Sequence, residues 1–122
     1  MDAMKLKHFA FFAYPVTDMD RARAFYEETL KLPLGECFEN QWVEYELNGM
    51  AFAITNMIGE LQPGAKGGFL AIEVEDIETA VAEMKSKEVL FILEMSEFPT
   101  CRMAVVADPD GNGITLHQIK QR

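Results

Sequence analysis

Apolar positions along this chain change period at regular intervals. The stretch His8-Phe9-Ala10-Phe11-Phe12-Ala13-Tyr14 is rich in aromatics and too short for a helix of its own, which predicts an opening strand. After Pro15-Val16-Thr17-Asp18, the residues Met19, Ala22, Phe25, Tyr26 and Leu30 recur at helical spacing, with Asp18 placed to cap the first turn and Pro33 just past the end. Strand-like segments follow at Leu34 to Phe38, Gln41 to Leu47 and Met50 to Thr55, the last two separated by the turn pair Asn48-Gly49.

The second half repeats this order. Phe69 to Val74 reads as a strand, Asp76 as a helix cap, and Ile77, Ala80, Val81 and Met84 as the buried stripe of a helix. Val89 to Met95, Cys101 to Ala107 and Ile114 to Ile119 then read as strands, with Asp108-Pro109-Asp110-Gly111-Asn112-Gly113 as a turn before the last. The reading is therefore a single α+β domain of two βαβββ modules, about residues 5–57 and 68–119, joined by a linker at about 58–67. One helix per four strands covers one face of each half-sheet. Edge-to-edge pairing of the halves predicts a curved mixed sheet with helices outside and a concave inner face suited to a small ligand.

Composition narrows the partners. Twenty acidic against 11 basic residues give a formal charge of −9, which repels phosphate backbones, so nucleic acid is excluded as an expected partner. The longest apolar run, Phe9 to Tyr14, falls far short of a bilayer span, and no basic-then-apolar leader opens the chain, so no membrane partner is expected. Two cysteines, Cys37 and Cys101, are too few for a disulfide framework, and a cytoplasmic protein with free thiols is expected. Most acids fall on predicted helices and turns; Glu44, Glu46, Glu73 and Glu94 lie in strands.

The run Val16-Thr17-Asp18-Met19-Asp20-Arg21-Ala22 leading to Phe25-Tyr26-Glu27 and Leu30, the second capping acid Asp76, and Asp108-Pro109-Asp110-Gly111-Asn112 before the last strand together resemble the vicinal oxygen chelate superfamily. That superfamily takes in glyoxalase I, bleomycin-resistance proteins and extradiol dioxygenases, and the likeness covers the whole chain. It implies metal-ligand positions on four inner strands, which fall here on Phe11, Ala53, Phe69 and Thr115. None supplies an imidazole or a carboxylate, whereas a divalent site of this kind needs three or four such groups, so no cofactor is expected.

Strand alternation puts His8 on the face opposite Phe11, His117 on the face of Thr115, and Glu73 on the face of Phe69. An atypical divalent metal site from His117, Glu73 and Glu46 is conceivable; the alternative is that His8 and His117 lie at strand ends near solvent. The resemblance then implies a glyoxalase- or bleomycin-resistance-like protein without the usual metal ligands. Its concave pocket, lined by Phe11, Ala53, Phe69, Ala71 and Thr115, would hold a small hydrophobic or aromatic molecule. The competing readings are an enzyme of lyase, isomerase or dioxygenase type, using an atypical metal or Glu73 or His117 as a metal-free general base, and an interaction domain whose phenylalanines are core. Exposed half-sheet edges predict a homodimer in each case.

Overall fold

In a computed structural model of the chain, residues 11–57, 63–64 and 70–120 are described. The elements are β1 (Phe12–Pro15), α1 (Met19–Arg23) running on as π-helical turns (Ala24–Thr29), β2 (Leu34–Phe38), β3 (Trp42–Leu47), β4 (Met50–Thr55), β5 (Leu70–Glu73), α2 (Ile77–Ser86), β6 (Phe91–Glu97), β7 (Cys101–Ala107) and β8 (Gly113–Ile119). The strand orders are β1-β4-β3-β2 and β5-β8-β7-β6, with β1 parallel to β4 and β5 parallel to β8. This is the duplicated βαβββ, α+β arrangement, realised as two four-stranded mixed sheets. His8, Phe69 and most of the linker lie outside the described residues.

Local chemistry sets the element ends. The Asp18 carboxylate accepts from Arg21 N–H (3.1 Å), and Asp76 accepts from Glu78 N–H (3.3 Å) and from the Thr79 hydroxyl (2.6 Å), so both helices start on a capping acid. Asn48 and Gly49 both take positive φ (52° and 82°), the geometry of a tight β3–β4 hairpin whose twist matches the strands. Where the spacing predicts one regular helix from Met19 to Leu30, the second half is π-helical, with Leu30 N–H reaching Phe25 C=O at 2.9 Å.

Register assigns the two faces of each sheet. Val43, Tyr45, Phe52 and Ile54 lie against the helices, where Tyr26 stacks on Tyr45 (5.9 Å between centroids) and tilts against Phe52 (5.4 Å). The second module adds Ile77, Met84, Ala104, Val106, Ile114 and Leu116, so one core runs through both modules on their helix faces.

Two polar devices join the modules inside this apolar setting. Asp108, nearly fully buried, accepts from the Tyr26 hydroxyl (2.8 Å), from Asn112 N–H (2.8 Å) and Nδ2 (2.9 Å), and from Asp110 N–H (2.9 Å). Asn112 Nδ2 also donates to Pro15 C=O at the end of β1 (2.9 Å). The second device is Tyr14. Val74 N–H donates to His117 C=O (2.8 Å), and stepping the parallel ladder back in twos brings Leu70 N–H opposite Gly113 C=O. The Tyr14 hydroxyl occupies that rung, accepting from Leu70 N–H (2.5 Å) and donating to Gly113 C=O (2.8 Å). Tyr14→Phe should therefore cost about 1–2 kcal/mol in urea unfolding, because it strands a backbone donor and an acceptor together.

Candidate functional site

On the first sheet, alternation places Phe11, Ala13, Trp42, Glu44, Glu46, Ala51, Ala53 and Thr55 on the face away from the helix. Phe11 and Trp42 meet edge to face at 5.1 Å between centroids. The register puts Ala53 between them, opposite Ala13 and Glu44, and Ala53 is fully buried beneath the larger side chains while Phe11 stays 48% exposed. Trp42 Nε1–H donates to Glu44 Oε2 (2.8 Å), which fixes the indole. Phe11 is thus one side of a half-open aromatic pair.

On the second sheet, Ala71 is opposite Thr115 and Glu73 is opposite His117, on the face away from α2. Thr115 is buried and Ala71 exposed. His117 Nδ1 and Glu73 Oε1 are 2.5 Å apart, and Glu73 Oε2 accepts from Ile119 N–H (2.8 Å). These two bonds, the Ile119 N–H first and His117 second, hold the Glu73 carboxyl below the usual glutamate range. A depressed carboxyl stabilises the fold above its unfolded pKa and loses that contribution as pH falls through its folded pKa. In a carbon-detected NMR titration Glu73 should titrate below an ordinary glutamate, and His117→Ala should return part of the shift while the Ile119 N–H bond keeps the rest. Chemically, the carboxylate orients the imidazole, the arrangement a general base uses. Glu46 does not join the pair, and among the described residues no three His, Cys, Asp or Glu side chains are grouped to hold a metal ion.

A cavity lies elsewhere among the described residues. Its volume is about 1010 Å³, and its walls are the helix-face side chains Phe12, Tyr14, Leu47, Met50, Phe52 and Ile72, with Leu32, Tyr45 and Leu70 beside them. That size is at the top of the range that buries a drug-sized ligand. Of the sequence-predicted site residues, Ala71 and Glu73 border this cavity, through the edge of β5. Phe11, Ala53 and Thr115 are on the opposite faces and do not; Phe69 lies outside the described residues.

The cavity residues escape a reading by alternation because both faces of β1 are apolar: Phe12 and Tyr14 interleave with Phe11 and Ala13, so parity alone does not choose between them. Leu47 and Met50, apolar yet flanking an Asn-Gly turn, are the one local signal of an uncovered patch.

Comparison with known proteins agrees with this architecture. Residues 5–116 match the family model of the Glyoxalase/Bleomycin resistance protein/Dioxygenase superfamily, and the chain belongs to that superfamily. Comparison with curated protein sequences gives no match. Among solved structures, the chain is similar to TnmS3, an antibiotic binding protein from Streptomyces sp. CB03234, with 25% identity and a TM-score of 0.81 over 97% of this chain and 100% of that one. A glyoxalase/bleomycin resistance protein from the same Streptomyces is 26% identical, with a TM-score of 0.75 over 88% and 97% of the two chains. Lactoylglutathione lyase from Agrobacterium tumefaciens shares the fold at 14% identity, with a TM-score of 0.76 over 93% and 95%. No helix among the described residues is long and apolar enough to cross a membrane.

Proposed function

We propose that the protein binds a small hydrophobic or aromatic molecule without the usual metal ligands of its superfamily. The observation that carries this is the cavity of about 1010 Å³ with walls of Phe12, Tyr14, Leu47, Met50, Phe52 and Ile72. Three of its polar side chains are engaged internally: the Tyr14 hydroxyl between Leu70 and Gly113, the Tyr45 hydroxyl on Glu27 (2.9 Å), and Asn112 on Asp108 and Pro15. A neutral, largely apolar occupant suits such walls. The full-length similarity to an antibiotic binding protein supports the same reading.

The implied metal positions do not fit an ion. Phe11 offers a ring packed edge-on to Trp42, Ala53 a methyl group, and Thr115 a buried hydroxyl, and a divalent cation needs imidazole or carboxylate donors there. A homodimer is part of the proposal, because Leu34 and Phe38 on β2 and Ile92, Leu93 and Met95 on β6 leave apolar side chains exposed on unpaired edge strands. Titration with the neutral dye Nile red tests the cavity: saturable fluorescence enhancement with a matching rise in Tm is expected, and a protein that neither enhances the dye nor gains stability from it has no such site.

A further inference from the structure

On the edge strands β1 and β5, Ala13, Pro15, Ala71 and Glu73 border the cavity although their side chains are on the opposite faces of their sheets, so they meet it through the backbone. The ladders give the reason. Val16 N–H donates to Thr55 C=O, so the even-numbered residues of β1 bond to β4 and the N–H and C=O of Ala13 point off the outer edge. Pro15 C=O, pointing the same way, accepts from Asn112 Nδ2. Val74 N–H donates to His117 C=O, so Ala71 and Glu73 likewise turn their backbone groups away from β8. Both β1 and β5 are edge strands, and the described residues supply no partner to the outward N–H of Ala13 or of Ala71. The cavity is thus an apolar wall flanked by two open strand edges, with the Tyr14 hydroxyl tying them together at Leu70.

Resting on the cavity reading above, we infer that the occupant is an extended peptide or peptide-like amide that adds as a strand to the β1 and β5 edges. Main-chain amides supply donors and acceptors at strand spacing, and alternate side chains of an added strand enter the cavity against Phe12, Phe52 and Ile72 while the others face the opposite side. A ligand with apolar groups at every second position matches both halves of this site. An aromatic hydrocarbon would fill the wall and leave the edge groups unpaired.

The test uses the full chain, Nile red, and the capped hexapeptide acetyl-Thr-Leu-Thr-Leu-Thr-Leu-amide with its alternately N-methylated counterpart. The parent peptide is expected to displace the dye, and the N-methylated one to bind about tenfold more weakly or not at all, the loss of about one hydrogen bond to a buried partner. Ala71→Pro removes an outward N–H without breaking the β5–β8 ladder, as proline is tolerated on such edges, and should lower peptide affinity by about tenfold while leaving dye binding intact. Ala13→Pro is the second edge variant should Ala71→Pro fail to fold.

Equal binding of the two peptides, or an unchanged affinity in a folded proline variant, overturns the strand-addition inference and leaves a purely apolar pocket. Conversion of a wild-type dimer to a monomer by Ala71→Pro also overturns it, by making a second copy the occupant of the edge. Absence of dye binding to the wild type fails the cavity reading itself, which the peptide measurements do not touch.

Discussion

Asp108→Ala is expected to destabilise the fold by about 3 kcal/mol, a fall of roughly 10 °C in Tm. The carboxylate is 4% exposed and takes four hydrogen bonds, from the Tyr26 hydroxyl, two groups of Asn112 and Asp110 N–H. Alanine removes all the acceptors at once and leaves buried donors from both modules unsatisfied, which costs more than the bonds themselves contribute. The Tyr26 hydroxyl is held far above the usual phenol range, by burial first and by the Asp108 charge second, so it is a donor at neutral pH. Tyr26→Phe should therefore cost much less, about 1 kcal/mol, since it removes one donor and leaves Asp108 with three. Equal losses for the two variants in thermal melts would contradict Asp108 as the hub.

The second large effect concerns ligand capture. Met50 and Leu47 close the hairpin end of the cavity and are more than half and about half exposed, so replacing Met50 by glutamate leaves the core untouched. A carboxylate at that rim must lose water when the cavity fills, in a chain already at −9. Met50→Glu should weaken Nile red by tenfold or more with a Tm within about 2 °C of wild type. The matching change on the other face, Phe11→Ala, should leave dye affinity unchanged, because Phe11 contacts Trp42 and not the cavity. The reverse outcome, dye lost with Phe11→Ala and kept with Met50→Glu, would move the site to the aromatic pair on the helix-free face.

That contrast between Phe11 and Met50 also marks the limit of the sequence. Period, capping acids and turn pairs are local properties, and they suffice for the elements: Asp18 and Asp76 cap helices, Asn48-Gly49 turns a hairpin, and the duplicated order of strands and helices leads to the superfamily. Alternation further paired Glu73 with His117 on one face, because both lie in strands whose parity is set by neighbouring motifs. It could not choose the cavity face of β1, where Phe11 and Phe12 are equally apolar; only the docking of Tyr26 over Tyr45 and Phe52 shows which side is covered and where coverage stops.

Nor could it show that a tyrosine hydroxyl takes the place of a ladder rung 56 positions away, since that contact exists only when the two modules meet. What the amino-acid sequence determined by itself was the set of elements and the family, through interactions within a few residues of each other. What tertiary structure alone decided was the cavity, because a cavity is the space that packing between distant elements leaves unfilled.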